Sequence, residues 1–217
     1  MNKNQELEEF VLHILSTTGA VLTNGHFVYT SGLHGDAYVN KDRIYPHTSA
    51  VRQLCELLAQ YFRREGVTYD VVVGPALGGI ILSQWTAYFS PFGSEGTEVL
   101  AVYAEKDGKQ FLLGRGYDEF VQGKRVLVVE DVVTTGGSAR KVAELVTELG
   151  GTVVAIGALC NRGGVTAEEL GVPLFFALIN FTLETWSEQE CPLCKEEAPI
   201  NTDVGKGREF LARKARE

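Results

Sequence analysis

The sequence predicts a doubly wound α/β protein, a mostly parallel sheet flanked by helices, and three observations carry that prediction. Short runs at 70–73, 98–103, 125–129, 152–159 and 174–179 are apolar at successive positions, the pattern of strands buried on both faces. Helical spacing fills intervals between them, at 79–88 and 137–149, and strand–helix alternation makes the strands parallel. Two of the runs end in glycine-rich loops that open a helix, and ligands of such sheets bind outside the carboxyl ends of the strands.

The elements follow in order. Leu7, Phe10, Val11, Ile14 and Leu15 recur at helical spacing, and Gly19 stands where that helix stops. A turn-rich stretch with short β pieces occupies 24–45, around Gly25, Gly32 and Gly35. Leu54, Leu57, Leu58 and Tyr61 mark a second helix before Gly66, and the strand–helix alternation then begins. Residues 191–217 are polar and read as a peripheral extension. The whole is expected to form one domain, 1–217, with no internal repeat and no linker.

Composition narrows the function classes. Over 217 residues, 45% are hydrophobic and 22% charged, ordinary values for a chain with one substantial core. The formal net charge of −8 argues against nucleic acid or an anionic membrane as the main partner. The polar, acidic start MNKNQELEEF predicts no secretory leader, and no apolar run approaches the roughly 20 residues that span a bilayer. Cys55, Cys160, Cys191 and Cys194 fit a reducing compartment, so a cytoplasmic location is expected. Cys191-Pro-Leu-Cys194 is half of a zinc site without a partner pair in sequence, and His13, His26, His34 and His47 are spaced without metal logic. The expectation is that the protein ligates no metal directly.

The most informative segment is Val126-Leu-Val-Val-Glu-Asp-Val-Val-Thr-Thr-Gly-Gly-Ser138. Four apolar residues make a buried strand, and Glu130 and Asp131 stand towards its carboxyl end. Val132 and Val133 lead to a loop of Thr134, Thr135, Gly136, Gly137 and Ser138 that opens a helix. Glycines admit a ligand close to the backbone, hydroxyls donate, and the amides of a helix start face an anion with the dipole behind them. The adjacent carboxylates would repel phosphate but suit vicinal hydroxyls, or a magnesium ion through water. Phosphate, diol and metal together describe a ribose phosphate. No Gly-x-x-x-x-Gly-Lys-Ser/Thr sequence is present, which argues against a P-loop nucleotide hydrolase. The plain alternative is a glycine-rich β–α turn with capping hydroxyls.

This segment resembles, position by position, the phosphoribosyl diphosphate (PRPP) motif of the type I phosphoribosyltransferases. Asp70-Val-Val-Val-Gly74-Pro75-Ala76-Leu77-Gly78-Gly79 resembles the pyrophosphate-binding loop of the same enzymes, one strand–helix unit earlier. Lys106, Lys109 and Arg115 lie on a segment similar to the family's catalytic lid, whose cations neutralise departing pyrophosphate. Where the bacterial branch shows two arginines, this chain has Gly114-Arg115-Gly116-Tyr117.

The stretch from Gly25 to Tyr38 looks like the N-terminal hood of the orotate enzymes, residues 1–45 contributing to it, with Ser31-Gly32 as a donor-bearing turn. Thr30 stands where some relatives carry Lys, and Lys41 is a candidate substitute cation. Arg162, after the run 152–159, resembles the family's orotate-contacting arginine. Cys191-Pro-Leu-Cys194 also recurs in bacterial orotate enzymes.

The resemblance, over about 25–194, implies an orotate phosphoribosyltransferase. Lys106, Glu130 and Asp131 would be catalytic. Residues 74–79, Lys106, Arg115 and residues 130–138 would bind PRPP, and Ser31, Gly32, Lys41, Thr134 and Arg162 would bind orotate. The implied cofactor is Mg²⁺ held mainly by PRPP, and the implied assembly a homodimer sharing its lid across subunits. A purine phosphoribosyltransferase, or a non-catalytic PRPP-binding regulator of the same fold, are the alternatives.

Overall fold

The structure, a computed structural model, describes residues 3–90, 92–93, 96–181 and 184–216. The chain divides into two compact units, one of Met1–Val11 with Tyr45–Phe181 and one of Leu12–Ile44 with Thr182–Glu217.

Helix α1 (Lys3–Thr17) buries Val11, Ile14 and Leu15. It stops where Gly19 turns to φ 69°, and the Thr17 and Thr18 hydroxyls bond carbonyls of the final turn. Four two-residue strands follow. β1 (Val21–Leu22) pairs antiparallel with β4 (Tyr38–Val39), and β2 (Phe27–Val28) pairs with β3 (His34–Gly35) between them in sequence. A 3₁₀ turn, Lys41–Arg43, leads towards α2 (Thr48–Arg64). That helix buries Val51, Leu54, Cys55, Leu58, Ala59 and Phe62 along one stripe and ends before Gly66 at φ 69°.

The alternating region is built from β5 (Val71–Pro75), α3 (Gly78–Tyr88), β6 (Leu100–Asp107), β7 (Gln110–Leu112), α4 (Asp118–Val121), β8 (Arg125–Val133), α5 (Gly137–Glu148), β9 (Thr152–Asn161), α6 (Ala167–Leu170) and β10 (Phe175–Asn180). The tail adds α7 (Pro192–Lys195) and α8 (Gly207–Lys214). One six-stranded sheet has the order β10-β9-β8-β5-β6-β7, parallel except where β7 turns back on β6. The doubly wound, mostly parallel sheet is therefore present.

All five residues of β5 are buried, as are Val126, Leu127, Val128 and Val129 of β8, so both sheet faces are covered. On one face Val71, Val73, Val126, Val128 and Ile156 pack with Ala139, Val142, Ala143 and Val146 of α5. On the other, α2 lies so close to β9 that a Cβ on Gly157 would sit 2.9 Å from the Phe62 ring and 3.1 Å from Leu58.

The apolar runs located the strands but not their ends. β8 continues four residues beyond Val129, through Glu130 and Asp131, because parallel pairing with β9 holds the backbone extended past the last apolar residue. β7 is an edge strand of three residues, and α4, α6, α7 and α8 are short, so none carries a run long enough to read. The polar tail, expected as a peripheral extension, contains two of these helices and shares a unit with Leu12–Ile44.

Candidate active site

The chain enters the sheet at β5, steps to β6 on one side, and then crosses to β8 on the other. The carboxyl ends of β5 and β8 are thus neighbours at the point where strand order reverses, in register Val73 to Val128. A crevice opens at such a switch point.

The 130–138 loop forms one wall of it. Gly136 is the residue before α5, with φ 71°, and offers no side chain to cap the helix. Its α-carbon also faces Leu170 Cδ2 so closely that a Cβ would sit 2.6 Å away. Glycine is required there on both counts. The α5 amides with no partner inside the helix face a cavity of about 180 Å³ lined by Glu130 and residues 132–139. Thr134, Thr135 and Ser138 are exposed at its rim, Glu130 is buried in its lining, and Asp131, next in the chain, is buried as well. Aligned amides with three hydroxyls suit a phosphate group.

The second loop, 74–79, lies against the first. Gly74 and Gly79 meet backbone to backbone, so side chains are excluded at both, and a Cβ on Gly78 would collide with Asp131 Oδ2 and Tyr45 Oη. The peptide Ala76–Leu77 is cis, and Leu77 is 82% exposed at the loop tip. No side chain caps α3, which begins at Gly78. Two glycine-bearing helix starts therefore flank one crevice.

Asp131 joins the two loops. Its Oδ2 accepts from the Tyr45 hydroxyl at 2.6 Å, and its Oδ1 accepts from the Val132 amide at 2.7 Å. Glu130 Oε1 accepts from the Asp131 amide at 3.2 Å. Carboxylates only accept, with several lone-pair sites each, which is the chemistry that suits a diol or metal-bound water. Tyr45 was not legible as a site residue; an isolated tyrosine at the end of a turn-rich stretch carries no pattern.

Arg162 is brought to the same rim. Pairing of β8 with β9 continues to Val133 and Asn161, and the Arg162 amide donates to the Val133 carbonyl at 2.8 Å. Gly163, next to it, packs directly on the Thr134 carbonyl. The neighbouring Cys160 thiol is pushed up to about 11 by burial; the Arg162 charge opposes that rise and Asp131 adds to it. It stays a neutral packing group at ordinary pH.

The cationic segment is a hairpin of β6 and β7, with Lys106 paired to Phe111 and exposed. Arg115 Nε donates to Glu105 Oε1 at 3.0 Å, and the carboxylate holds the guanidinium still more firmly charged. Lys141 of α5 donates to the Lys109 carbonyl. In the other unit, Ser31 and Gly32 form the exposed turn between β2 and β3, Gly32 at φ 84°, and Lys41 opens the 3₁₀ turn. A larger hollow of about 670 Å³, lined by Tyr88, Phe92, Tyr117 and Phe120 among others, shares no residue with the crevice.

A family profile described as the phosphoribosyl transferase domain matches residues 40–193. The chain is 40% identical over 180 residues to the orotate phosphoribosyltransferase of Caldanaerobacter subterraneus subsp. tengcongensis, covering 83% of this chain and 88% of that one. It is 40% identical over 195 residues to the orotate phosphoribosyltransferase of a Thermoanaerobacter species, covering 89% and 95%. Among solved structures, the orotate phosphoribosyltransferase of Mycobacterium tuberculosis H37Rv superposes with a TM-score of 0.60 at 26% identity, over 82% of this chain and 97% of that one.

Proposed function

The chain belongs to the phosphoribosyltransferase family, on its orotate branch, and from that premise we propose how its own residues carry out the transfer of phosphoribosyl from PRPP to orotate. The products are orotidine 5′-monophosphate and pyrophosphate, a step of pyrimidine biosynthesis. The observation that supports the assignment of residues is the backbone bond from Arg162 to Val133, which ties the main chain of Arg162 to the strand end that leads into the candidate cradle.

The 5-phosphate sits on the amides and hydroxyls of Thr134, Thr135, Gly136, Gly137 and Ser138. Glu130 and Asp131 accept from the ribose hydroxyls, and Tyr45 fixes the Asp131 rotamer for that task. Pyrophosphate lies along residues 74–79, where glycines let backbone amides approach. Magnesium bound to PRPP would neutralise its charge, with Glu130 and Asp131 as the water-mediated holders, and these buried acids beside hydroxyls are a fitting donor set.

Orotate is oriented by Arg162 against its carboxylate, with Thr134 beside it. The Ser31-Gly32 turn and Lys41 of the hood complete its recognition. The orotate nitrogen then forms a bond to C1 as the C1–O bond breaks; that electron pair leaves with pyrophosphate, which takes up the proton the nitrogen gives up, and configuration inverts. Lys106 and Arg115 stabilise the charge that leaves. Arg115 must give up Glu105 to do so, and an exposed pair is exchanged at little cost. No covalent nucleophile is required; most of the acceleration is positioning and lid closure.

The active form is a homodimer in the cytoplasm, the lid of one subunit reaching the site of its partner. Tyr88 and Phe92, 75% and 67% exposed beside Leu100 and Phe120, supply the apolar surface that supports a subunit contact. Among the described residues no helix is long and apolar enough to cross a membrane.

The test is pyrophosphate release from Mg-PRPP with orotate, hypoxanthine, guanine, adenine and uracil offered separately. Turnover with orotate alone, lost on Arg162→Ala, is expected. Turnover with a purine alone would keep the cradle and overturn the acceptor. PRPP binding without turnover would make the protein a sensor.

A further inference from the structure

Away from the sheet, in the unit of Leu12–Ile44 and Thr182–Glu217, four side chains converge: His26, His34, Cys191 and Cys194. Three are 2% exposed or less and the fourth, Cys194, is half-buried. Their ligand atoms all lie within 4.8 Å of one another. Cys194 Sγ is 3.6 Å from His26 Nε2 and 3.3 Å from His34 Nδ1, Cys191 Sγ is 3.6 Å from His26 Nε2, and the two ring nitrogens are 2.8 Å apart. Tetrahedral zinc, with bonds of about 2.0–2.1 Å to nitrogen and 2.3 Å to sulfur, requires ligand separations of about 3.3–3.8 Å. Three of the four nitrogen–sulfur edges already have those lengths, and the His34–Cys191 and Cys191–Cys194 edges lie within 4.8 Å. The nitrogen–nitrogen edge is shorter and would open by about 0.5 Å around a central ion.

The chemistry of the four groups agrees. Both thiols are free rather than joined in a disulfide. The other nitrogen of His26, Nδ1, lies 2.9 Å from the Ala198 carbonyl oxygen. A carbonyl only accepts, so Nδ1 carries the proton and Nε2 turns its lone pair to the cluster. That carbonyl contact is the outer support a metal-bound imidazole needs. Two thiols with two imidazoles form a borderline-soft set that selects zinc over magnesium or calcium.

We propose that His26, His34, Cys191 and Cys194 bind one zinc ion in a closed Cys₂His₂ site. Four protein ligands leave no open position, so its role is structural. His26 immediately precedes β2, His34 lies in β3, and Cys191 and Cys194 flank and occupy α7. The ion staples the hairpin that bears the Ser31-Gly32 turn to the tail. Backbone pairing here amounts to a few bonds: His34 and Trp186 exchange two hydrogen bonds, Asn201 donates to the His26 carbonyl and Lys206 to the Val28 carbonyl. Strands of two residues are too short to hold such a hairpin unaided.

The test uses the full chain, produced with zinc available and purified under reducing conditions. Elemental analysis is expected to give about one zinc per chain after dialysis, falling at least ~10-fold in Cys194→Ser and in His34→Ala. X-ray absorption at the zinc edge of the unaltered protein is expected to show two sulfur and two nitrogen neighbours, so the proposal remains testable even where a variant fails to fold. Stripping with a strong chelator should lower Tm, and zinc but not magnesium should restore it. A chain that stays metal-free when zinc is supplied, a first shell without sulfur, or a Cys191–Cys194 disulfide would each overturn the proposal. None of these readouts involves orotate turnover, so the site stands or falls apart from the catalytic reading.

Discussion

Tyr45 and Gly78 both press on Asp131, one donating a hydrogen bond and the other leaving space. The half-buried Tyr45 hydroxyl holds one carboxylate oxygen while the Val132 amide holds the other, which fixes the plane of the group. A hydrogen bond to a charged group is worth about 1.5–3 kcal/mol, and here it is spent on orientation rather than on the fold. Tyr45→Phe keeps the ring and removes the donor. It is expected to lower kcat/KM for PRPP by about ten-fold or more with Tm nearly unchanged. Steady-state kinetics and a melting curve check this; unaltered kinetics would remove Tyr45 from the site.

At the scale of elements, the site depends on β8 being held extended past its apolar core. β9 performs that service, and β9 in turn rests on α2 through Gly157. A methyl group there would meet the Phe62 ring and Leu58, both fully buried with little room to retreat. Gly157→Ala is expected to cost about 1–3 kcal/mol by overpacking, read as a lower urea midpoint at unchanged slope. A midpoint equal to that of the unaltered chain would mean that α2 shifts freely on the sheet. The same tight seating explains why glycine interrupts an otherwise β-branched and aliphatic strand.

For the whole molecule, the decisive question is whether one chain suffices for catalysis. Lys106 lies on an exposed hairpin, whereas Asp131 is buried. If the lid serves the partner's site, Lys106→Ala and Asp131→Asn, each inactive alone, should complement when unfolded together and reassembled. Random pairing in a two-fold dimer gives mixed dimers in half the cases, each with one intact site, so about a quarter of full activity returns. No recovery, with dimers shown to have exchanged, would place lid and cradle in the same subunit.

Fold class and the glycine-rich loop that opens α5, the candidate phosphate cradle, were legible because both are local in sequence. A strand buried on both faces must be apolar at consecutive positions, and an anion site at a helix start needs glycines and hydroxyls within a few residues, as in 126–138. The position of Arg162 just past a strand end was readable for the same reason, its contact with orotate being our proposal. Strand ends, Tyr45 and the approach of Gly163 to Thr134 were not, since each is set by a neighbour remote in sequence. The cluster of His26, His34, Cys191 and Cys194, proposed above as a zinc site, is the clearest case. Cys191-Pro-Leu-Cys194 lacked a partner pair by spacing, and His26 and His34 had no metal logic of their own. Only the fold sets them together, because a metal ligand set is defined by distance in space, and chain separation places no limit on that once the loop between is closed by packing.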